Sequence, residues 1–251
     1  MLSYNTILFF GYKLFNDNLN KISFSNRIII NTINPHSYMV AQKDDEFHNA
    51  LQSSDILLPD GIGIVAAVSM LNNIKIKRIT GFDAHYRLLK TLNFIGGKVF
   101  YMGSSNQTLK KIKKRINEEY PNIEFESYSP PFKEKFSTLE NNIILTALNE
   151  SKPDLLFVGM TAPKQEKWVY ENKDKINAKV ICSIGAVFDF YSGNIKRPGK
   201  FWIKFGLEGM IRIVKEPKRL WKRFIFSDLP FMFFIFKNWL NKKLTRKHVT
   251  I

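Results

Sequence analysis

Short apolar runs alternate with longer amphipathic stretches along the first 195 residues. Thr6–Gly11 and the Ile-rich Arg27–Ile33 read as strands. Asn34-Pro35 opens a helical stretch to about Gln52, with Pro in the first turn and Asn as the cap before it. Asp55–Leu58 is a short strand ending in Pro59-Asp60-Gly61, and Ile62–Leu71, apolar nearly all round, reads as a buried helix. Next come helix Asp83–Leu92 after Thr80-Gly81, strand Lys98–Met102, and a basic amphipathic helix from Gly103-Ser104-Ser105-Asn106 to Tyr120-Pro121. Strand Ile123–Ser127, a loop at Pro130-Pro131, helix Leu139–Asn149, strand Asp154–Gly159, helix Pro163–Asn172 and strand Lys179–Gly185 complete the series. This alternation predicts an α/β fold with a mostly parallel sheet and helices on both faces.

Past Gly193 the texture changes. Phe201–Phe226 is helical in pattern and carries many Lys and Arg residues among Trp202, Phe205, Leu207, Ile211, Trp221 and Phe224. Leu229–Phe236 is apolar throughout, and Lys237, Trp239, Lys242 and Lys243 follow it. The chain therefore divides into an α/β domain over 1–195 and a basic, aromatic-rich helical appendage over 196–251. Charge sharpens that division. The whole chain has 38 Lys+Arg against 22 Asp+Glu, net +16, and residues 196–251 alone carry fifteen against three, or +12. Such a segment seeks phosphate, in a nucleic acid, an anionic membrane surface or a diphosphate ligand. Interleaved Trp and Phe favour a bilayer interface. A nucleic-acid-binding protein is the weaker reading, since no helix-turn-helix, RNA-binding or zinc-finger signature accompanies the charge.

No run approaches the roughly 20 apolar residues of a membrane span. Met1–Phe15 lacks the basic start and small-residue cleavage site of a signal peptide, so a cytoplasmic chain is expected. A single cysteine, Cys182, excludes a disulfide framework and sits in an apolar strand as a core residue. The four histidines, His36, His48, His85 and His248, have no metal-ligand spacing, and no D-x-D pair occurs. No metal or other cofactor is expected.

In open α/β sheets, ligands bind outside the carboxyl ends of the strands. The residues placed there are Thr32 and Asn34, then Asp60, Gly61 and Gly63, then Gly103 and Ser104. Gly159, Lys164, Gln165 and Glu166 follow, and Gly185 and Asp189 complete the rim. Asp60 is the leading carboxylate, open to two roles: taking a proton from an attacking hydroxyl, or capping the next helix. Asp83 and Asp189 invite the same capping explanation. Gly103-Ser104-Ser105 at a helix start could hold a phosphate through backbone N–H groups. Lys164-Gln165-Glu166 could bond a uracil or ribose, or form a solvated first helical turn.

Taken together, the motifs are recognisable. They run Pro59-Asp60-Gly61-Ile62-Gly63, Arg78-Ile79-Thr80-Gly81-Phe82-Asp83, and Gly159-Met160-Thr161-Ala162-Pro163-Lys164-Gln165-Glu166. Gly185-Ala186-Val187-Phe188-Asp189-Phe190 and Gly193-Asn194-Ile195-Lys196-Arg197-Pro198 follow, then Gly206-Leu207-Glu208-Gly209-Met210-Ile211-Arg212 and Lys215-Glu216-Pro217-Lys218-Arg219. From about residue 5 to 226 this series resembles the WecG/TagA/CpsF family of glycosyltransferases.

The resemblance implies a Rossmann-like, metal-independent, inverting hexosyltransferase. It would move N-acetylmannosamine, its uronic acid, or another hexose such as glucose, from a UDP-sugar to a sugar on a polyprenyl diphosphate. It would serve cell-envelope polysaccharide synthesis from the inner face of the bacterial membrane. By position, Asp60 matches the catalytic base, Thr32 an active-site hydroxyl and Gln165 a substrate-contacting glutamine. Thr80, Gly81 and Arg197 fall within the matching motifs. Arg212, Arg219, Lys222 and Arg223 match a basic appendage that closes over the site and holds a diphosphate. Ser105-Asn106, Phe82 and Gly209 depart from the family pattern, and Phe82 bears on donor choice. The Phe-rich stretch after 226 is longer than in short members and is open to a second use, burial in a homo-oligomer contact. A non-catalytic scaffold is the remaining alternative, against which the retained Asp60, Gln165 and Arg219 speak.

Overall fold

The computed structural model describes residues 4–199, 201–202, 208–215 and 221–248, without the side chains of Met210, Arg212, Ile213, Lys215 and 246–248. Among the described residues there are eight strands: β1 Thr6–Phe9, β2 Tyr12–Phe15, β3 Ile28–Ile33, β4 Ile56–Pro59, β5 Gly97–Gly103, β6 Ile123–Tyr128, β7 Leu155–Gly159 and β8 Val180–Ser183. They form one sheet in the order β1-β2-β4-β3-β8-β7-β5-β6, parallel except for the β1/β2 hairpin at one edge. The predicted single strand Thr6–Gly11 is thus the first arm of a hairpin. Phe10 and Gly11 both take positive φ (45° and 86°), as a two-residue turn matching strand twist requires.

The helices are α1 Pro35–Ala41, α2 Asp45–Gln52, α3 Ile62–Asn72, α4 Gly81–Ile95, α5 Asn106–Glu119, α6 Thr138–Ser151, α7 Lys164–Asn172 and α8 Val187–Tyr191. The single helix expected from Asn34 to Gln52 is two, because the Asp44 side chain accepts the Phe47 N–H and starts a second helix. Helices α4, α5 and α8 cover one face of the sheet, burying Leu88, Ile112 and Phe188 against Tyr101, Phe157 and Cys182. On the other face, α1, α2 and α3 pack over Leu14, Ile33 and Leu57, and α6 and α7 over Phe100, Leu156 and Ile181. Alternate residues of each central strand serve opposite faces, as the period of two demands. At the carboxyl ends β5 and β7 approach so closely that a Cβ on Gly103 would lie 2.4 Å from the Gly159 carbonyl oxygen.

In the appendage, Phe201–Phe226 is helical wherever it is described: residues 201–202, helix Glu208–Lys215, and residues 221–223, which run into a π-helical turn Phe224–Asp228. Leu229–Phe236 lies in a terminal helix, Leu229–His248, that continues the π-helical turn, and Pro230, which has no N–H to donate, stands at the junction of the two. Phe231 and Ile235, one turn apart, are buried against α1 and α3. Their burial stabilises this docking by roughly 3–6 kcal/mol at the usual value for large apolar side chains. Phe234 packs tilted against Phe10 and Tyr38, and His36 shares a 2.8 Å hydrogen bond with Ser227. No helix among the described residues is long and apolar enough to cross a membrane.

Candidate active site

The chain leaves β3 toward β4 on one side, while β8 is reached from β7 on the other, and β3 and β8 are neighbours. Ligand crevices open at such a reversal, beyond the carboxyl ends of the strands. A cleft of about 740 Å³ lies there, reaching from Thr32, Asn34 and Asp60 to Ile184 and Ala186. The first residues or caps of four helices line it: Asn34 before α1, Gly61 before α3, Thr80 before α4 and Ala186 before α8. Their positive dipole ends therefore face the same space.

Asp60 directly follows β4, and its backbone N–H donates to the Ile33 carbonyl at 2.9 Å, fixing the loop to β3. The cap of α3 is Gly61, at φ 87°, and no side chain caps that helix. The capping role left open for Asp60 is therefore not the one its carboxylate takes. Burial, reinforced by the nearby Glu208 charge, pushes the Asp60 carboxyl up to about 6, while Arg78 and Arg223 pull it down and Asp83 adds a smaller push upward. Gly63 lets α3 come close to α1, since a Cβ there would stand 2.5 Å from Pro35 Cγ.

Among the described residues, three guanidiniums border the cleft: Arg78, Arg197 and Arg223. Arg197 donates to both Glu208 carboxylate oxygens, at 2.9 and 3.2 Å, and stacks over Phe82 at 4.4 Å. Arg78 reaches the same carboxylate at 3.5 Å. Arg223 donates to Asn34 Oδ1 at 3.3 Å and stands 4.0 Å from Asp228. Burial and the Arg223 charge hold His36 down at about 4, so its ring is neutral near pH 7.

Of the residues expected at the site, Thr32, Asn34, Asp60, Gly61, Gly63, Thr80, Gly81, Arg197 and Arg223 line the cleft. The other described ones are not among its lining. Asp83 accepts from the Thr80 N–H and hydroxyl at 2.8 and 2.7 Å, so it is occupied in the capping box of α4. Gln165 is buried beneath the rim: its Oε1 accepts from the backbone N–H of Met160 and Gly185, and its Nε2 donates to Glu166 Oε1. It clasps the loops after β7 and β8 together, and Gly159 and Gly185 belong to those loops. Burial pushes the neighbouring Glu166 carboxyl up to about 7. Lys164 caps the ring of Phe136 at 3.7 Å, and the Asp189 carbonyl accepts from Ile195 and Ser192. At Gly103-Ser104, the cap of α5 is Ser105, whose hydroxyl accepts the Thr108 N–H. Lys222 is exposed beside Trp221. Arg219 and the Arg212 side chain lie outside the described residues.

Arg78 and Glu208 were not singled out from sequence, although both sit inside the quoted motifs. Glu208 carried a signal, as one of three acids in a strongly basic segment. Arg78 stands two residues before the Thr80 cap, where spacing alone marked only the cap. The apolar wall from Ile62, Ala66 and Met70 to Phe231, Met232, Ile235 and Phe236 also went unforeseen. Among the described residues, no three His, Cys, Asp or Glu side chains gather as a cation site requires.

Residues 13–245 match the glycosyl transferase WecG/TagA/CpsF family. An N-acetylglucosaminyldiphosphoundecaprenol N-acetyl-beta-D-mannosaminyltransferase of Bacillus subtilis is 32% identical over 215 residues, covering 86% of this chain and 81% of its own length. Proteins of the same name from Bacillus spizizenii and Staphylococcus aureus (strain MW2) are 30% and 26% identical, over 77% and 78% of this chain and 73% and 75% of theirs.

Proposed function

Because the chain belongs to the WecG/TagA/CpsF glycosyltransferase family, we propose that it moves a hexose from a UDP-sugar to N-acetylglucosamine on a polyprenyl diphosphate, with inversion. N-acetylmannosamine is the donor sugar that the relatives' name favours. The observation that carries the reading is Asp60: a carboxylate that caps no helix, held up to about 6, in a cleft shared with three arginines. Above pH 6 it is ionised and accepts the proton of the acceptor hydroxyl. The hydroxyl oxygen attacks the anomeric carbon as the bond to the UDP oxygen breaks, and UDP leaves with that electron pair. One displacement on the face opposite the leaving group inverts the centre.

Negative charge grows on the β-phosphate as this happens. Arg78 and Arg197, with the side-chain-free N-terminus of α3, oppose it inside a partly enclosed cleft where such charges count for more than in water. Thr32 and Asn34, at the end of β3, face the same space and orient the reacting sugars. Glu208 holds Arg78 and Arg197 in place until a phosphate takes over their donors.

The lipid-linked acceptor draws the protein to the inner face of the bacterial membrane as a peripheral, cytoplasmic protein. Met232, Phe233, Phe236, Leu240 and Leu244 are exposed on the terminal helix beside Lys237, Lys242 and Lys243, which suits an anionic bilayer surface.

The test is transfer from a panel of UDP-sugars to a GlcNAc-diphosphoryl-lipid analogue, with and without chelator, for wild type and Asp60→Asn. Expected are transfer that survives chelation, a product of inverted anomeric configuration, and a variant slower by about a hundredfold to ten-thousandfold. Equal rates for the two proteins would sink Asp60 as the base, and a retained configuration would sink the single displacement.

A further inference from the structure

The cleft has two chemically distinct ends. Asp60 and the arginines lie at one. From there Ile62, Ala66 and Met70 run along one face of α3, four residues apart, for about 12 Å. Phe231, Met232, Ile235 and Phe236 of the terminal helix face them across the same cleft. The floor is dry core, with Ala67, Phe231 and Ile235 buried. The walls are open: Ile62 is 51% exposed, Met70 42% and Phe236 51%. Large apolar side chains left wet on two facing helices, continuous with a polar site, describe a groove for an apolar chain.

We propose that this groove holds the first isoprene units of the polyprenyl-diphosphate acceptor, with the diphosphate at Arg223, beside the start of the terminal helix, and the chain leaving between α3 and that helix. The proposal rests on the acceptor class argued above and adds the residues that read its lipid. Continuity selects the occupant: Asp60 and the stripe from Ile62 to Met70 line one cleft, so a single molecule with a polar head and an apolar chain can fill both ends. A bilayer acyl chain has no such link to the arginines. Lys242 donates to the Leu71 carbonyl, joining the far ends of the two helices.

The experiment is calorimetric binding of inorganic pyrophosphate, geranyl diphosphate and farnesyl diphosphate, the lipids kept below their aggregation concentration. Wild type should bind them with affinity rising about tenfold per isoprene added. Met70→Gln and, separately, Phe236→Gln should flatten that series while leaving pyrophosphate affinity unchanged. Both side chains are largely exposed, so the fold should tolerate either change. Phe233→Ser is the control: Phe233 is 72% exposed and does not line the cleft, so its series should stay steep. A flat series in wild type, or an undiminished one in both groove variants, overturns the groove. If transfer to a short-chain acceptor survives meanwhile, the glycosyltransferase reading stands. Absence of both transfer and pyrophosphate binding in wild type overturns the two together.

Discussion

Replacing Glu208 by Gln should move the acid limb of the pH–rate profile, in a direction that the geometry fixes. Asp60 is raised from 3.8 to about 6, which is roughly 3 kcal/mol against its ionised form. Burial is the first cause and the Glu208 charge the second. Glu208 also occupies Arg197 through two hydrogen bonds and Arg78 at 3.5 Å. The substitution therefore removes a like charge and unmasks two opposite ones at once. Both changes favour the carboxylate, and together they are worth about one pH unit or more, roughly 1.4 kcal/mol at an effective dielectric near 20. The assay is kcat/KM for transfer across the acid range, which reports the free enzyme. Wild type should lose activity below about pH 6, and the variant below about pH 5. Asp60→Asn should remove the limb together with most of the rate. An acid limb that stays at 6 in Glu208→Gln, or climbs, would refute the electrostatic coupling and leave burial as the whole cause.

Glu166 gives a second pH test, on stability. Its folded carboxyl titrates near 7 against 4.5 in the free side chain, so the folded state keeps a proton that the unfolded chain has already lost. Its contribution is complete below 4.5 and disappears as pH rises through 7, a change of roughly 3 kcal/mol. Urea unfolding at pH 5 and pH 8 should show a loss of stability that is smaller in Glu166→Gln than in wild type by about 2.5 kcal/mol, the remainder belonging to other raised carboxyls such as Asp60. Gly103→Ala places a Cβ 2.4 Å from the Gly159 carbonyl at φ 125°, and should destabilise by about 3 kcal/mol or more in thermal unfolding. Phe233→Ser with Leu240→Ser should weaken binding to vesicles of anionic lipid, while transfer to a water-soluble acceptor keeps its rate. Unchanged vesicle binding would remove the terminal helix as the attachment surface.

The parallel core was legible because its strands are buried on both faces and read as unbroken apolar runs, as in Ile28-Ile29-Ile30 and Leu155-Leu156-Phe157-Val158. Caps were legible where the chemistry is local: Asn34 and Ser37 form a capping box, as do Thr80 and Asp83. That same locality left Asp83 open: a carboxylate three residues into a helix looks alike in sequence whether it serves a ligand or its own cap, and the 2.7–2.8 Å bonds to Thr80 show it serving the cap. Gln165 shows the converse. Position made it a ligand contact, but its amide is engaged by backbone groups of two loops that sequence leaves 25 residues apart, Met160 and Gly185. One of those loops carries Ala186 to the cleft.

The terminal helix explains why the appendage was the least legible part. An ordinary surface helix has one apolar stripe, which names its buried face. Here large apolar residues occupy two: Phe231 and Ile235 on one, Met232, Phe236, Leu240 and Leu244 on the other. Periodicity cannot rank two full stripes, and the flanking lysines drew both toward a membrane. The partner surface decides instead. Tyr38, Ile64 and Val68 accept the first stripe into the core, and the second is left at the cleft mouth and beyond. The division at residue 195 is thus a boundary of composition. The residues beyond it supply Arg197, Glu208 and Arg223 to the polar end of the cleft and one whole wall to its apolar end. If the reaction joins a charged donor to a lipid-borne acceptor, the segment that meets both halves of that acceptor is the one a truncation at 195 would remove. Such a truncation should therefore abolish transfer to soluble acceptors as well as lipid ones.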